Sequence, residues 1–151
     1  MRSRSPLTLM EQLVMILVFA LAAALCLQVF VFADQTSERN EKTDQAVLLC
    51  QNAAEAIKAA GQAAGSMDAA FEDAAKLLGG TFSDGSMSVC YDEEWSQIEQ
   101  ENDCAYRLLV NALPPSVDGL CKASVRLVSV GNEDESLFEL TVAWQEVGTD
   151  G

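Results

Sequence analysis

Residues 13–33 read LVMILVFALAAALCLQVFVFA, a run of 21 residues that contains no charged side chain. An α-helix rises about 1.5 Å per residue, so this run spans roughly 30 Å, the thickness of the hydrocarbon core of a bilayer. A helix also bonds its backbone polar groups internally, which a lipid environment requires. The run therefore predicts one membrane-spanning helix, which we place at residues 7–33.

The charges that flank the apolar run predict its orientation in a cell membrane. Arg2 and Arg4 precede it, and Asp34 follows it. Basic residues favour the cytoplasmic side, so we expect a cytoplasmic N-terminus and an extracytoplasmic C-terminal part. The predicted segments are a cytoplasmic leader at 1–6, the transmembrane helix, a stalk with the outer half of the same long helix at 34–60, and an extracytoplasmic head at 61–151.

Two other kinds of N-terminal signal fit the run less well. A cleavable secretory signal has a shorter apolar core, and here the run continues nine residues beyond the small-residue segment that ends at Ala24. A lipoprotein signal needs a small residue before its cysteine, whereas Leu25 precedes Cys26. We interpret Cys26 as a small apolar residue of the helix.

One acidic residue lies at the entrance of the apolar run. Residues 7–11 read LTLME and end at Glu11. A charged side chain at mid-bilayer costs about 3 kcal/mol on insertion scales, and less near the interface. Glu11 is therefore a functional candidate. The alternative is a carboxylate that simply lies among the lipid headgroups.

This segment resembles the start of type IV pilins and of the pseudopilins of type II secretion and DNA-uptake machines. In that family a basic leader ends in Gly, and a hydrophobic residue, Thr, Leu, another hydrophobe and Glu follow. Thr8, Leu9, Met10 and Glu11 match, with Leu7 where Phe is usual. The resemblance implies a structural subunit of an envelope assembly, with a long helix before a small antiparallel sheet. It also implies that Glu11 pairs with a neighbouring subunit's N-terminal amine.

Pro6 departs from the family pattern at the processing site between Pro6 and Leu7. Proline lacks an N–H and fixes φ, so a peptidase built for glycine is expected to handle it poorly. Two interpretations follow. One is a pilin-like subunit that packs with others; the other is an unprocessed, membrane-anchored binding or regulatory module that does not polymerise.

The part after residue 33 is strongly acidic. It holds 22 acidic and seven basic residues, a net charge of −15, in 118 residues. That length suits one domain with a modest core. The charge repels nucleic-acid backbones and anionic lipids, so we expect no direct binding of nucleic acid and interpret the charge as a solubility feature.

The helical pattern continues beyond the stalk. An apolar stripe at three- and four-residue spacing extends the long helix to about residue 60, with its outer half against a sheet; it comprises Ala46, Cys50, Ala53, Ile57 and Ala60. A second helix is predicted at 67–78, with Ser66 as N-cap and Gly79 and Gly80 at its end. Its predicted core face is Ala70, Phe71, Ala74, Leu77 and Leu78.

Four segments of alternating apolar and polar residues follow and predict an antiparallel sheet covered on one face by the helix. They are residues 86–92, 103–113, 120–130 and 137–147, with turns at Pro114–Gly119 and Asn132–Glu135. The predicted fold class is α+β, as in pilins. In the second strand, Cys104, Tyr106, Leu108, Val110 and Ala112 are predicted to share one face.

Four cysteines follow the apolar run, at Cys50, Cys90, Cys104 and Cys121, and they allow three full pairings. If the first two strands form a hairpin centred near Gln97, Cys90 and Cys104 lie opposite each other, and a disulfide there is plausible in an oxidising compartment. Free buried thiols are the alternative. Zinc is not expected, because the chain has no histidine and no close cysteine pair.

The sequence offers little support for enzyme chemistry. It has no histidine and no recognisable nucleophile motif, so we expect neither an enzyme nor a cofactor. Acidic runs at 92–94 and 133–135 supply oxygen ligands of the kind that calcium prefers, and some secretion pseudopilins hold calcium. Neither run matches an EF-hand loop, and we interpret both as solvated loops.

Overall fold

The computed structural model describes residues 5–64, 66–99, 101–115, 117 and 119–145. Within these residues, two α-helices are followed by six strands, which confirms the α+β class. The helices are α1, Ser5–Ala63, and α2, Met67–Leu78. The strands are β1, Thr81–Ser83; β2, Ser86–Tyr91; β3, Gln97–Ile98; β4, Tyr106–Leu113; β5, Leu120–Ser129; and β6, Asn132–Gln145. The chain divides into two compact units, residues 1–41 and 42–151.

The first unit contains the first part of α1. Every described side chain from residue 7 to residue 41 is exposed, including those of the large apolar residues. Within the described residues, α1 is the one helix long and apolar enough to cross a membrane. A helix was predicted from residue 7 to about residue 60, and the observed helix is slightly longer at both ends.

The second unit begins with the last part of α1, where the predicted apolar stripe is confirmed. Ala46, Cys50, Ala53 and Ile57 are buried, and Ala60 is half-buried. Ala56, which the stripe omitted, is buried as well. Small side chains dominate this face because the helix packs closely on the head.

The second helix follows the prediction closely at both ends. The Ser66 hydroxyl accepts a hydrogen bond from the Ala69 amide at 3.3 Å, which is an N-cap bond. Gly79 has φ 61° and ends the helix in the left-handed conformation that glycine adopts without penalty.

The predicted core face of α2 was wrong at one residue. Leu77 is 73% exposed, whereas Ala75, which was not predicted, is 3% exposed. At 100° per residue, the buried row is centred between Phe71 and Ala74, and Leu77 lies about a quarter turn from that centre.

The sheet has the order β1-β2-β4-β5-β6, and the short β3 pairs with the same edge of β2 as β1. All pairs are antiparallel. The prediction of four strands missed β1 and β3. The first of these closes onto β2 through Asp84 and Gly85, whose φ values of 51° and 74° are typical of the tight hairpin turn that Asp-Gly favours.

Two predicted boundaries in the later strands were also wrong. The predicted turn at Asn132–Glu135 lies inside β6, because the chain turns at Val130 and Gly131 instead. Ser129 pairs with Asn132 and Val128 with Ser136, so three acidic residues, 133–135, form an irregularity in the strand. The strand predicted from residue 103 starts at Tyr106, because Glu101–Asp103 forms a 3-10 turn. The predicted end of the last strand, at residue 147, falls outside the described residues.

One face of the sheet packs on the two helices and forms the core. Among the inward-facing side chains of the strands, Met87, Leu108 and Val125 are fully buried. Trp144 packs 6.4 Å from Phe71 between ring centroids, and a Cβ at Gly61 would overlap its indole ring. Burial of each large apolar side chain stabilises the fold by roughly 1.5–3 kcal/mol, so this face holds the head together. In β4, Leu108 and Val110 are buried as predicted, but Tyr106 is half-buried and Ala112 is exposed.

Candidate functional site

The most extensive candidate site is the apolar surface of the first part of α1. Leu7, Phe19 and Phe30 are each more than three-quarters exposed, and the residues between them are similarly uncovered. Soluble domains rarely expose contiguous apolar surface of this extent, so this surface is a candidate for contact with lipid or with other proteins. The side chains surround the helix on every side, as a lipid-embedded helix requires.

Glu11 is the single charged residue between positions 7 and 33. Its side chain is exposed, and no described residue forms a hydrogen bond or ion pair with it. Positions three, four and seven residues further on the same helical face are Val14, Met15 and Val18, all apolar. The carboxylate therefore lies at one end of an apolar surface, where a partner of opposite charge would interact strongly.

The predicted processing site, Pro6 and Leu7, lies in the first turn of α1. Proline is tolerated there because the N–H groups of the first turn have no helical partner. Leu7 is exposed. The structure thus gives a reason for proline at this position that is independent of any peptidase.

The head contains a disulfide between Cys90 and Cys104, the pair that the sequence analysis singled out. Their Cα atoms are 5.4 Å apart. The geometric reason differs from the one proposed, because Cys90 pairs with Arg107 in β4 and the two strands are not centred on Gln97. Cys104 precedes β4. It therefore does not share the buried face of Leu108 and Val110, contrary to the prediction.

The segment closed by this disulfide is acidic, and hydrogen bonds and an aromatic stack hold it in place. The Asp92 carboxylate accepts backbone hydrogen bonds from Glu94 at 3.0 Å and Ser96 at 2.8 Å. The Gln97 side-chain amide donates to the Gly79 carbonyl at 2.7 Å. Trp95, at φ 64°, stacks on Tyr106 with ring centroids 3.9 Å apart. This stack was not predicted, because no local sequence pattern indicates it.

The acidic runs do not assemble a metal centre in the described part of the chain. Among the described residues, no group of three or more His, Cys, Asp or Glu side chains could hold an ion. Asp92 is engaged with its own loop, and Glu133 lies 3.5 Å from Arg107. Both runs contribute local contacts at the surface.

The head buries the thiol of Cys50 and the phenol of Tyr91. Burial raises the pKa of Cys50 to about 12, partly offset by a hydrogen bond with the Leu127 backbone. Burial also raises the pKa of Tyr91, with a further contribution from the charge of Cys50. Because the thiolate is the reactive form, Cys50 is a core residue and not a nucleophile at neutral pH.

Comparisons with known proteins add nothing to these observations. No protein-family model matches the chain, and no curated protein or solved structure matches it either.

Proposed function

We propose that this chain is a pilin-like or pseudopilin-like structural subunit, anchored in the membrane and packed into an envelope-spanning pilus, secretion or DNA-uptake assembly. The observation that carries the proposal is the contrast along α1. One continuous helix, Ser5–Ala63, has an exposed apolar surface at residues 7–33 and a buried stripe in its last part. The exposed part is long enough to cross a bilayer and has apolar side chains to offer to neighbouring helices.

The disulfide supports a head outside the cytoplasm. Disulfides form and persist in oxidising compartments and are rare in the cytosol. Cys90 and Cys104 are joined in the head, and the basic leader favours a cytoplasmic N-terminus. Both observations are consistent with one orientation across the membrane.

The proposed mechanism is structural. Membrane helices pack side by side through residues 7–33, and the heads present their acidic surface outside. Glu11 sets the register between neighbours if cleavage frees the amine of Leu7. A carboxylate and an ammonium attract each other strongly in a low-dielectric surrounding, and an unpaired charge there is costly, so the pair would favour one register over others.

A second function is favoured by one observation, the proline at the processing site. If Pro6 blocks cleavage, Glu11 has no amine partner, and the chain would act as a single-pass anchor for a binding or regulatory head. The head would then have to bind its target without assembly of the helices.

Intact mass of the chain extracted from membranes of its native host separates the two functions. The assembly proposal expects loss of residues 1–6, with or without one added methyl group on Leu7. A Pro6→Gly variant is the matched control, since it restores the residue that the family uses. A full-length mass for the wild-type chain, beside a shortened Pro6→Gly variant, would contradict processing and favour the anchored module.

A further inference from the structure

A cleft of about 410 Å³ opens on the head beside the disulfide. It lies where β1 and β3 both pair with β2, and its walls include Thr81, Ser88, Cys90 and Glu99. The Thr81 and Ser88 hydroxyls are 3.0 Å apart and share a hydrogen bond. One half of the disulfide is thus part of the wall of an open, partly polar cleft.

The two sulfur-bearing residues differ in access. Cys90 is half-buried and lines the cleft. Cys104 is 7% exposed and is not part of the described wall. In thiol–disulfide exchange, a thiolate approaches one sulfur in line with the S–S bond and displaces the other sulfur. Of the two cysteines, Cys90 alone is among the described residues that line the cleft, so we expect approach from the cleft to reach its sulfur first.

We propose that Cys90 is a thiol-exchange site, attacked from this cleft by the dithiol of a thiol–disulfide oxidoreductase, with Cys104 as the leaving thiol. The first thiolate of the dithiol bonds to the sulfur of Cys90, the Cys90–Cys104 bond breaks, and Cys104 leaves as a thiolate that takes up a proton. The second thiol of the dithiol, once deprotonated, then attacks the mixed disulfide and releases Cys90. The dithiol is oxidised to a disulfide while the disulfide of the chain is reduced to two thiols. Run backwards, the same steps form the bond.

The charge of the cleft adds a selectivity that can be measured. Glu99 is the one charged residue in the described wall. Its carboxylate repels an anionic thiol and attracts a cationic one at close range, an effect of about fivefold in rate for charges some 4 Å apart in water. The site therefore favours an attacking thiol that carries basic groups.

The test uses the full chain in detergent micelles and two small thiols of opposite charge, cysteamine and 3-mercaptopropionate. After brief exposure, iodoacetamide traps free thiols. A glutamyl endopeptidase, which cuts after Glu93, Glu94 and Glu99, then separates Cys90 from Cys104 for mass spectrometry. The chain unfolded in guanidinium gives the intrinsic rate ratio of the two thiols.

We expect the mixed disulfide on Cys90 and the alkyl group on Cys104. We also expect cysteamine to be favoured about fivefold or more over the unfolded reference. Glu99→Gln should lower this preference, and Glu139→Gln, an exposed change in β6 outside the cleft, should leave it unchanged. Equal labelling of both cysteines, labelling chiefly on Cys104, or exchange that occurs only on unfolding would each overturn the proposal. A cysteamine preference that survives Glu99→Gln would overturn the role of the cleft.

Discussion

The first and last parts of α1 are segments of one helix with opposite relations to their surroundings. In residues 7–33 large apolar side chains are exposed all round, as with Ile16, which is 68% exposed. In residues 42–63 a narrow stripe is buried, and Ile57 is fully covered. Helical conformation alone therefore does not determine the role of a segment. The size and angular spread of its apolar side chains do, since a narrow stripe of small residues fits a sheet and an all-round apolar surface fits lipid or other helices.

Isoleucine occurs in both parts of the helix. Its substitution by alanine gives the largest expected difference in the stability of the head. Ile57→Ala should lower the unfolding free energy of the head by about 2–5 kcal/mol, because it removes buried methyl groups and leaves a cavity. Ile16→Ala should leave the stability of the head unchanged. Both tryptophans of the chain lie in the head, so denaturant unfolding followed by tryptophan fluorescence reports on it alone. Equal losses in the two variants would contradict the division of the helix.

Two exposed alanines allow a second comparison, in which an arginine is placed in each part of the helix and membrane insertion is measured. Ala23 and Ala59 are both exposed on α1. Ala23→Arg should oppose insertion by about 2.5–3.5 kcal/mol, the cost of arginine at the centre of a membrane helix, and should shift the chain from the membrane to the soluble or degraded fraction. Ala59→Arg should have no such effect. Membrane fractionation with an alkaline wash measures both, and equal retention would indicate that residues 7–33 do not lie in lipid.

The third and smallest expected effect is a pH dependence of the unfolding free energy, which comes from Cys50. Folding raises the pKa of Cys50 from 9.0 to about 12, so its contribution to stability is complete below pH 9 and is lost as pH rises from 9 to 12. At pH 10 the loss should be about 1.4 kcal/mol relative to pH 8. Unfolding at both pH values should show this loss in the wild-type chain and in Cys26→Ala. The Cys50→Ala variant should lack it, apart from the separate contribution of Tyr91 at higher pH. An unchanged pH dependence in Cys50→Ala would refute the assignment.

The features predicted correctly from the sequence depend on nearby residues. The bounds of α2 follow from Ser66 and Gly79, which act on the adjacent turn, and the stripe that contains Cys50 and Ile57 follows from helical periodicity. The features that were not predicted depend on partners distant in the sequence. The strand β3 has two residues and exists because β2 lies beside it, and the start of β6 at Asn132 is fixed by pairing with Ser129.

The candidate sites divide in the same way. The apolar run and Glu11 could be read directly from the sequence. The disulfide between Cys90 and Cys104 was plausible from the sequence, but the hairpin assumed for it is not centred on Gln97. The cleft lined by Cys90 could not be predicted, because Thr81 lies in β1 and Glu99 directly follows β3, and these two short strands have no strong alternating pattern. The signal that was overlooked is Asp84-Gly85, which marks the hairpin that brings Thr81 there.

Side-by-side packing of residues 7–33 is the central claim, and a cysteine scan in native membranes tests it most directly. Starting from Cys26→Ala, one cysteine at a time replaces each of residues 20–30, and a mild oxidant cross-links neighbouring helices. Cross-linked products are expected at positions three or four residues apart, because one face of each helix meets its neighbour. Glu11→Gln should weaken or shift that pattern. If no position cross-links beyond the level of the Cys26→Ala background, although the chain remains in the membrane, the helix is a solitary anchor and the assembly proposal is wrong.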